Sequence, residues 1–192
     1  MPVLVDHAKT REQIAGLACR IVASDGLHAL TMRRLATEAG TSRAIVSTYF
    51  RDMRDLVLAT FHWVAARQVA RFEEAQAAGE GLQGCIAALL PLDDESLNDW
   101  RVTIAYLGYA VADEELADIE RQRIDGAVVR IEKLLMHEHG LSKSSAAVRR
   151  EAQRIVSAVL GVAVDFAFDP KARAQPRLRQ QMVDRVLGGS TL

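Results

Sequence analysis

Apolar residues recur at helical spacing along almost the whole chain, and strand-like alternation is rare. Ile14, Leu17, Ala18, Ile21 and Val22 predict a helix over 10–25, ended by Asp25-Gly26. Two short helices follow. The first, Met32–Ala39, takes Thr31 as its N-cap and turns Leu35, Ala36 and Ala39 inward. Gly40 comes next, where a left-handed residue is cheapest. Ser42 then caps a second helix running to Phe50, with Ile45, Val46 and Tyr49 inward. Asp52 caps a long helix from about Met53 to Ala78, and a shorter one spans Leu82–Leu90 before Pro91. Acidic triplets open the next two: Asp93-Asp94-Glu95 for a helix to Ala112, and Asp113-Glu114-Glu115 for one to His139. Ser142 to Ser145 cap an eighth helix through Phe168, closed by Asp169-Pro170. A ninth follows Pro176, runs to Leu187 and ends at Gly188-Gly189. The expectation is an all-α protein of about nine helices, with no strand and no internal repeat.

Residues 31–50 carry the chemistry. A short helix, a glycine turn and a second short helix make the layout of a helix-turn-helix, whose second helix enters the DNA major groove. Arg43, Ala44, Ser47 and Thr48 point outward on that helix. An arginine can reach a phosphate or the O6/N7 edge of guanine, and alanine lets the helix approach the bases. Serine and threonine hydroxyls serve base edges or phosphates. A generic helical hairpin with a solvated polar face is the other reading of this pattern.

The run from Ile14 to Leu58 resembles the DNA-binding domain of the TetR family of bacterial transcriptional regulators. The matching residues are Gly26, Thr31, Leu35-Ala36, Ala39-Gly40, Ser42, Tyr49-Phe50, Asp52 and Leu56. Residues 45–52, IVSTYFRD, are most similar to the BetI-like subgroup, regulators of choline-to-betaine metabolism. Two positions depart from the pattern: Thr41 stands where valine is usual, and Met53 where a phosphate-touching lysine is common, with Arg51 or Arg54 as substitutes. The candidate DNA-facing set is Thr31, Arg33, Thr41, Ser42, Arg43, Ala44, Ser47, Thr48, Tyr49, Arg51 and Arg54.

Charge supports this division of labour. The net charge is −1, but residues 1–54 carry eight Lys/Arg against five Asp/Glu, and residues 55–192 carry sixteen against twenty. The basic part is the part that would meet phosphates. The expected division is a DNA-binding domain over 1–52 and a helical ligand-binding and dimerisation domain over 53–192. Two cysteines, Cys19 and Cys85, provide neither metal spacing nor a disulfide framework, and each falls on an apolar helical face. The N-terminus lacks a basic segment followed by an apolar core, so no signal peptide is expected. The longest apolar stretch, Ile155–Val164, is broken by Ser157 and Gly161 and is too short to span a bilayer. The cytoplasm is the default location, with no membrane partner.

The resemblance implies that the fourth helix links the two domains and that helices five to eight enclose a ligand cavity. It also implies that the last two helices pair with their copies in a homodimer. The residues agree with that last implication. Ile155, Val159, Leu160 and Val162 cover more than one face of the eighth helix, and Met182, Val183 and Val186 give the ninth an apolar stripe. An intramolecular core is the other reading. Candidate ligand-binding residues are Trp63, Trp100, Tyr106, Tyr109 and Phe166, with Asp165. An acid in such an apolar run faces water, pairs with an arginine, or meets a cationic ligand, and the last option would suit choline or another organic cation. The same aromatics could simply pack the core. No nucleophile–base pair, metal spacing or phosphate loop points to an enzyme, and no cofactor is expected. The expected function is a regulator, read as a repressor. It would bind palindromic double-stranded operator DNA as a homodimer and leave it on binding a small-molecule inducer of unknown identity. The alternative is a helical interaction module, or an activator without small-molecule control.

Overall fold

The computed structural model describes residues 7–169 and 177–188. Pro170, Pro176 and Gly189, expected to punctuate the last two helices, lie outside the described residues. Among the described residues the protein is all-helical. The elements are α1 (His7–Asp25), α2 (Met32–Glu38), α3 (Arg43–Tyr49), α4 (Met53–Ala77), α5 (Gly81–Leu89), α6 (Asp94–Ala110), α7 (Glu114–Glu138), α8 (Ala146–Phe168) and α9 (Leu178–Leu187). A single 3-10 turn, Leu27–Ala29, joins α1 to α2.

The helices begin where side chains cap them. Thr31 Oγ1 accepts from the amide of Arg34, Ser42 Oγ from Ile45, Asp52 from Asp55, and Ser145 from Val148. Asp93 and Ser96 form a reciprocal capping box at the start of α6. Each such cap contributes about 1 kcal/mol relative to alanine. Between α2 and α3 the turn closes through Gly40, at φ 62°. The Thr41 amide donates to Ala36 O at 2.9 Å. A side chain at Gly40 would be strained in this left-handed conformation.

Two apolar cores result. One joins α1, the 3-10 turn, α2, α3 and the first half of α4 to the end of α6 and Leu116 of α7. The other joins the second half of α4 to α5, α8, α9 and much of α6 and α7. The expected division after residue 52 falls at the start of α4, but packing crosses it. Phe61 of α4 stacks on Tyr106 of α6, with ring centroids 3.7 Å apart. The hydroxyl of Tyr106 donates to Leu116 O at 3.2 Å. α4 therefore carries the small N-terminal unit and walls the large C-terminal one.

The candidate dimer residues are placed differently from expectation. Ile155, Val159, Val162, Met182, Val183 and Val186 are all buried within the protomer. Ile155, Val159 and Val162 of α8 share one core with α7 and with Met182, Val183 and Val186 of α9, so the intramolecular reading holds for them. Leu160 alone of that set stays partly uncovered. The outward stripe of α8 is instead Ser157, Leu160, Gly161, Val164 and Phe168, and Phe168 is 80% exposed.

Candidate DNA-binding face and ligand cavity

The α3 helix has only two turns, so it can bury one line of side chains. Val46 and the following Phe50 are fully buried, and Tyr49 is half-buried against the His7 ring. Arg43, Ala44, Ser47 and Thr48 are exposed, as the pattern predicted, and the capping Ser42 is exposed too. Ile45 corrects the pattern: expected inward, it is 49% exposed. Val46 and Phe50, four apart, occupy the inward line, and Ile45 falls outside it. An apolar side chain beside Ala44 and Thr48 gives this face a group able to touch a thymine methyl. The mismatch between a seven-residue helix and three apolar positions was the signal available in the sequence.

The arginines around this face divide into two groups. Arg11 donates to Tyr49 O, reaches Asp55 at 2.6 Å and lies 4.4 Å from the Phe50 ring centroid. This bracket seats the end of α3 against α1 and α4. Its hydrogen bond holds the Asp55 carboxyl below the usual carboxylate range. Arg34 is tied to Asp25. Arg54, expected among the DNA-facing residues, is also spoken for. It forks onto Asp113 and reaches Glu115 at 2.8 Å, joining the start of α4 to the start of α7. Arg33 and Arg43 are exposed and form no ion pair among the described residues. Arg51 is exposed with only a 3.9 Å approach to Asp55. Thr31 is exposed but its hydroxyl is engaged as a cap, and Thr41 is half-buried in the turn. The uncommitted positive charge therefore surrounds α3.

The second feature is a cavity of about 120 Å³ in the larger core, bounded by α4, α5, α6, α7 and α8. Its wall is mostly apolar: Val69, Phe72, Leu89, Trp100, Ile124, Ile131, Ile155, Val156, Val159 and Leu160, with Ala65 and Ala127. Polar atoms come from Gln68, Ser157, Arg123 and Arg130. Trp100 is fixed by its indole N–H, which donates to Leu89 O at 2.7 Å. Gln68 donates to Thr103 Oγ1 at 3.3 Å. Behind it Asp99, buried, takes Arg71 at 2.8 Å and Arg67 at 3.2 Å.

Of the six candidate ligand residues, only Trp100 lines this cavity. Trp63 packs on α1 over Gly16 and under the Arg67 guanidinium, 4.5 Å from the ring centroid. Tyr106 is buried in the other core, Phe166 is buried against α8's neighbours, and Tyr109 is 42% exposed. Asp165 is on the surface, paired with Arg185 at 2.5 Å. The run around Asp165 looked apolar on all sides, but the acid occupies the outer face of α8. Sequence reasoning missed Arg123 and Arg130, because two arginines on a long polar helix read as solvated charge. Burial pushes the thiol of Cys19 up to about 12 and that of Cys85 upward too, so both are inert apolar fillers. Among the described residues no group of His, Cys, Asp or Glu is placed to hold a metal, and no helix is long and apolar enough to cross a membrane.

Comparison with known proteins adds to this geometry. Residues 14–60 match the family described as bacterial regulatory proteins, tetR family. Residues 78–189 match that described as BetI-type transcriptional repressor, C-terminal. The chain is 24% identical over 192 residues to the HTH-type transcriptional regulator PksA of Bacillus subtilis (strain 168), covering 97% of this chain and 92% of that protein. Among solved structures, a transcriptional regulator from Rhodococcus sp. Rha1 aligns with a TM-score of 0.80 and 22% identity, over 95% of this chain and 98% of that one. A regulator from Saccharomonospora viridis, crystallised in complex with choline, aligns with a TM-score of 0.73 and 16% identity, over 95% and 97% of the two chains. At these identities the structural likenesses concern the fold.

Proposed function

Since the chain belongs to the TetR family of transcriptional regulators and carries a BetI-type C-terminal domain, we propose that it is a dimeric repressor released from its operator by a small molecule in the α4–α8 cavity. The observation that carries this reading is the double role of α4. Its first turns pack into the DNA-binding core through Leu56, Val57 and Phe61. Its middle turns supply Ala65, Gln68, Val69 and Phe72 to the cavity wall. A change in cavity occupancy therefore acts on the helix that positions α3.

On DNA, the proposed contacts are Arg43, Ala44, Ile45, Ser47 and Thr48 to base edges, with Ser42, Arg33 and Arg51 on phosphates. Two copies would place their α3 helices in successive major grooves, about 34–36 Å apart or a comparable multiple. The proposed dimer contact is the outward stripe of α8, centred on Gly161 between Ser157 and Phe168. At Gly161 an added Cβ would meet nothing within 4 Å in the protomer, so nothing inside the chain requires the glycine there. A mid-helix glycine costs about 1 kcal/mol relative to alanine, and close approach of a second helix is one use that offsets it.

The test is a gel shift on DNA upstream of the gene and its neighbours, with and without candidate metabolites. Specific retardation that a metabolite relieves is expected. Retardation that is equal on unrelated DNA, or that no cavity ligand alters, would count against the proposal.

A further inference from the structure

The charged groups in the cavity's lining are cationic. Arg123 and Arg130 contribute guanidinium groups, and no Asp or Glu is among the lining residues. The two arginines are not equivalent. Arg123 is neutralised by a two-point fork onto Glu120, at 2.6 and 2.8 Å. Arg130 is half-buried and makes no hydrogen bond or ion pair among the described residues. Its guanidinium lies over the Gly126 backbone, with Nη1 3.7 Å from where a Cβ would stand. Burial shifts Arg130 downward from the usual arginine range, and Glu73 is the acid whose field opposes that. An arginine does not deprotonate in a protein, so it stays charged with its donors idle. Leaving a partly dehydrated charge unpaired is costly, and an anion from outside would relieve it.

The cavity shares Arg130 with an outer groove. A surface groove between α4 and α7 is floored by small residues, Ala65, Ala66, Ala70 and Gly126, and edged by Glu73 and Gln122. Arg123 and Arg130 border both this groove and the inner cavity. A molecule passing inward would reach Arg130 with one end while the other lay among Phe72, Trp100 and Ile155.

We infer that the effector is a small apolar monocarboxylate, its carboxylate held by Arg130 at the α4–α7 threshold and its tail in the cavity. This rests on reading the cavity as the effector site. The planar fork of an arginine matches a carboxylate at two points. The inner volume of about 120 Å³ admits a short chain or a single ring. It falls below the roughly 300–1,000 Å³ of pockets that enclose drug-sized ligands. A quaternary ammonium would meet two guanidinium groups in the cavity, and the carboxylate of Glu73 lines only the outer groove.

The experiment is isothermal titration of the full chain, without DNA, using hexanoate, phenylacetate, methyl hexanoate and choline. At least one acid should bind, with the ester weaker and choline not detected. Arg130→Gln should weaken the acid about tenfold or more, the ordinary loss for a charge-assisted contact, and leave the ester unchanged. Arg130→Lys, which keeps the charge without the fork, should fall between the two. The ester reports that the cavity in each variant is still formed. Equal acid affinity in wild type and Arg130→Gln would overturn the inference. So would tighter binding of choline or ester, although the cavity would then remain the effector site. Binding by none of the four would overturn both readings, leaving operator binding to be judged by its own gel shift.

Discussion

Phe168→Ser separates the two roles open to α8. In the protomer the Phe168 ring is 80% exposed, so its removal takes little from the fold; surface changes of this kind cost within about 0.5 kcal/mol. In the proposed dimer the ring is covered by the partner. Full burial of a phenylalanine side chain stabilises by about 1.5–3 kcal/mol, so covering the remaining surface contributes about 2 kcal/mol per ring. A two-fold interface contains two rings. The dimer should thus lose about 4 kcal/mol, or about a thousandfold in Kd. The entropic cost of association is common to both proteins and cancels in the difference. Sedimentation velocity over a dilution series reads this directly, and far-UV circular dichroism checks that helicity is kept. A wild-type monomer at micromolar concentration, or a Phe168→Ser dimer as tight as wild type, would refute the reasoning. Val159→Asp gives the contrast. Val159 is 5% exposed and lies in the protomer's own core, so an unpaired carboxylate there should unfold the chain rather than yield folded monomers.

The remaining predictions concern the DNA face and its support. Arg43→Ala should weaken operator binding by about 1–3 kcal/mol if the guanidinium reads a guanine, and equally on all sequences if it meets phosphate; fluorescence anisotropy at several salt concentrations distinguishes these. Ile45→Ser should leave the melting temperature unchanged while altering operator preference, and an unaltered binding-site selection experiment would remove Ile45 from the face. Asp55→Asn should reduce stability at pH 7. The Asp55 pKa is lowered in the fold, chiefly by the Arg11 hydrogen bond. Its contribution is therefore present above about pH 4, the unfolded value. It is lost as pH falls through the lowered value, so urea melts of wild type and variant should converge in acid. Arg54→Ala should leave effector affinity intact but reduce operator release by the effector, measured by titrating effector against the protein–DNA complex; undiminished release would show that the Arg54 link is dispensable.

Helix limits were legible because local chemistry sets them. Thr31, Ser42 and Asp52 cap where they were expected to, Asp93 caps at the head of the acidic triplet expected to open α6, and Ser145 is the cap within the expected run 142–145; a cap depends on the next three residues alone. What α8 packs against depends on residues far away in sequence, so its apolar excess was read as a dimer seam. In fact α7 and α9 absorb Ile155, Val159 and Val162 within one protomer. Asp165 was ambiguous for the same reason: its partner, Arg185, is twenty residues on and belongs to another helix. Arg130 was invisible because its relevance comes from what fails to surround it. The exposed Ile45 was the one miss that helix length by itself could have prevented.

The two ends of the α4–α7 contact are built differently, and this bears on how the cavity could act on α3. At one end the Arg54 fork clamps α4 to Asp113 and Glu115 at the start of α7. At the other, a groove floored by alanines and a glycine separates the helices, lined by Arg123, Arg130 and Glu73. An effector seated at Arg130 would push on Ala65 and Val69, some 11–15 residues from the clamp. At 1.5 Å per residue that lever is roughly 20 Å long, so a spread of about 1 Å at the cavity turns α4 by about 3°. Leu56, Val57 and Phe61 would carry the packed α1–α3 unit with α4, while the Phe61–Tyr106 stack and Leu116, in the same core, would have to yield. The bracket of Arg11 on Tyr49 and Asp55 holds α3 to that body. In the proposed dimer the rotation would be delivered to both α3 helices in opposite senses. Their separation would then depart from the spacing that two major grooves impose. Without the clamp the same spread could be taken up by sliding α4 along α7, which is why Arg54→Ala is expected to impair release and not effector binding.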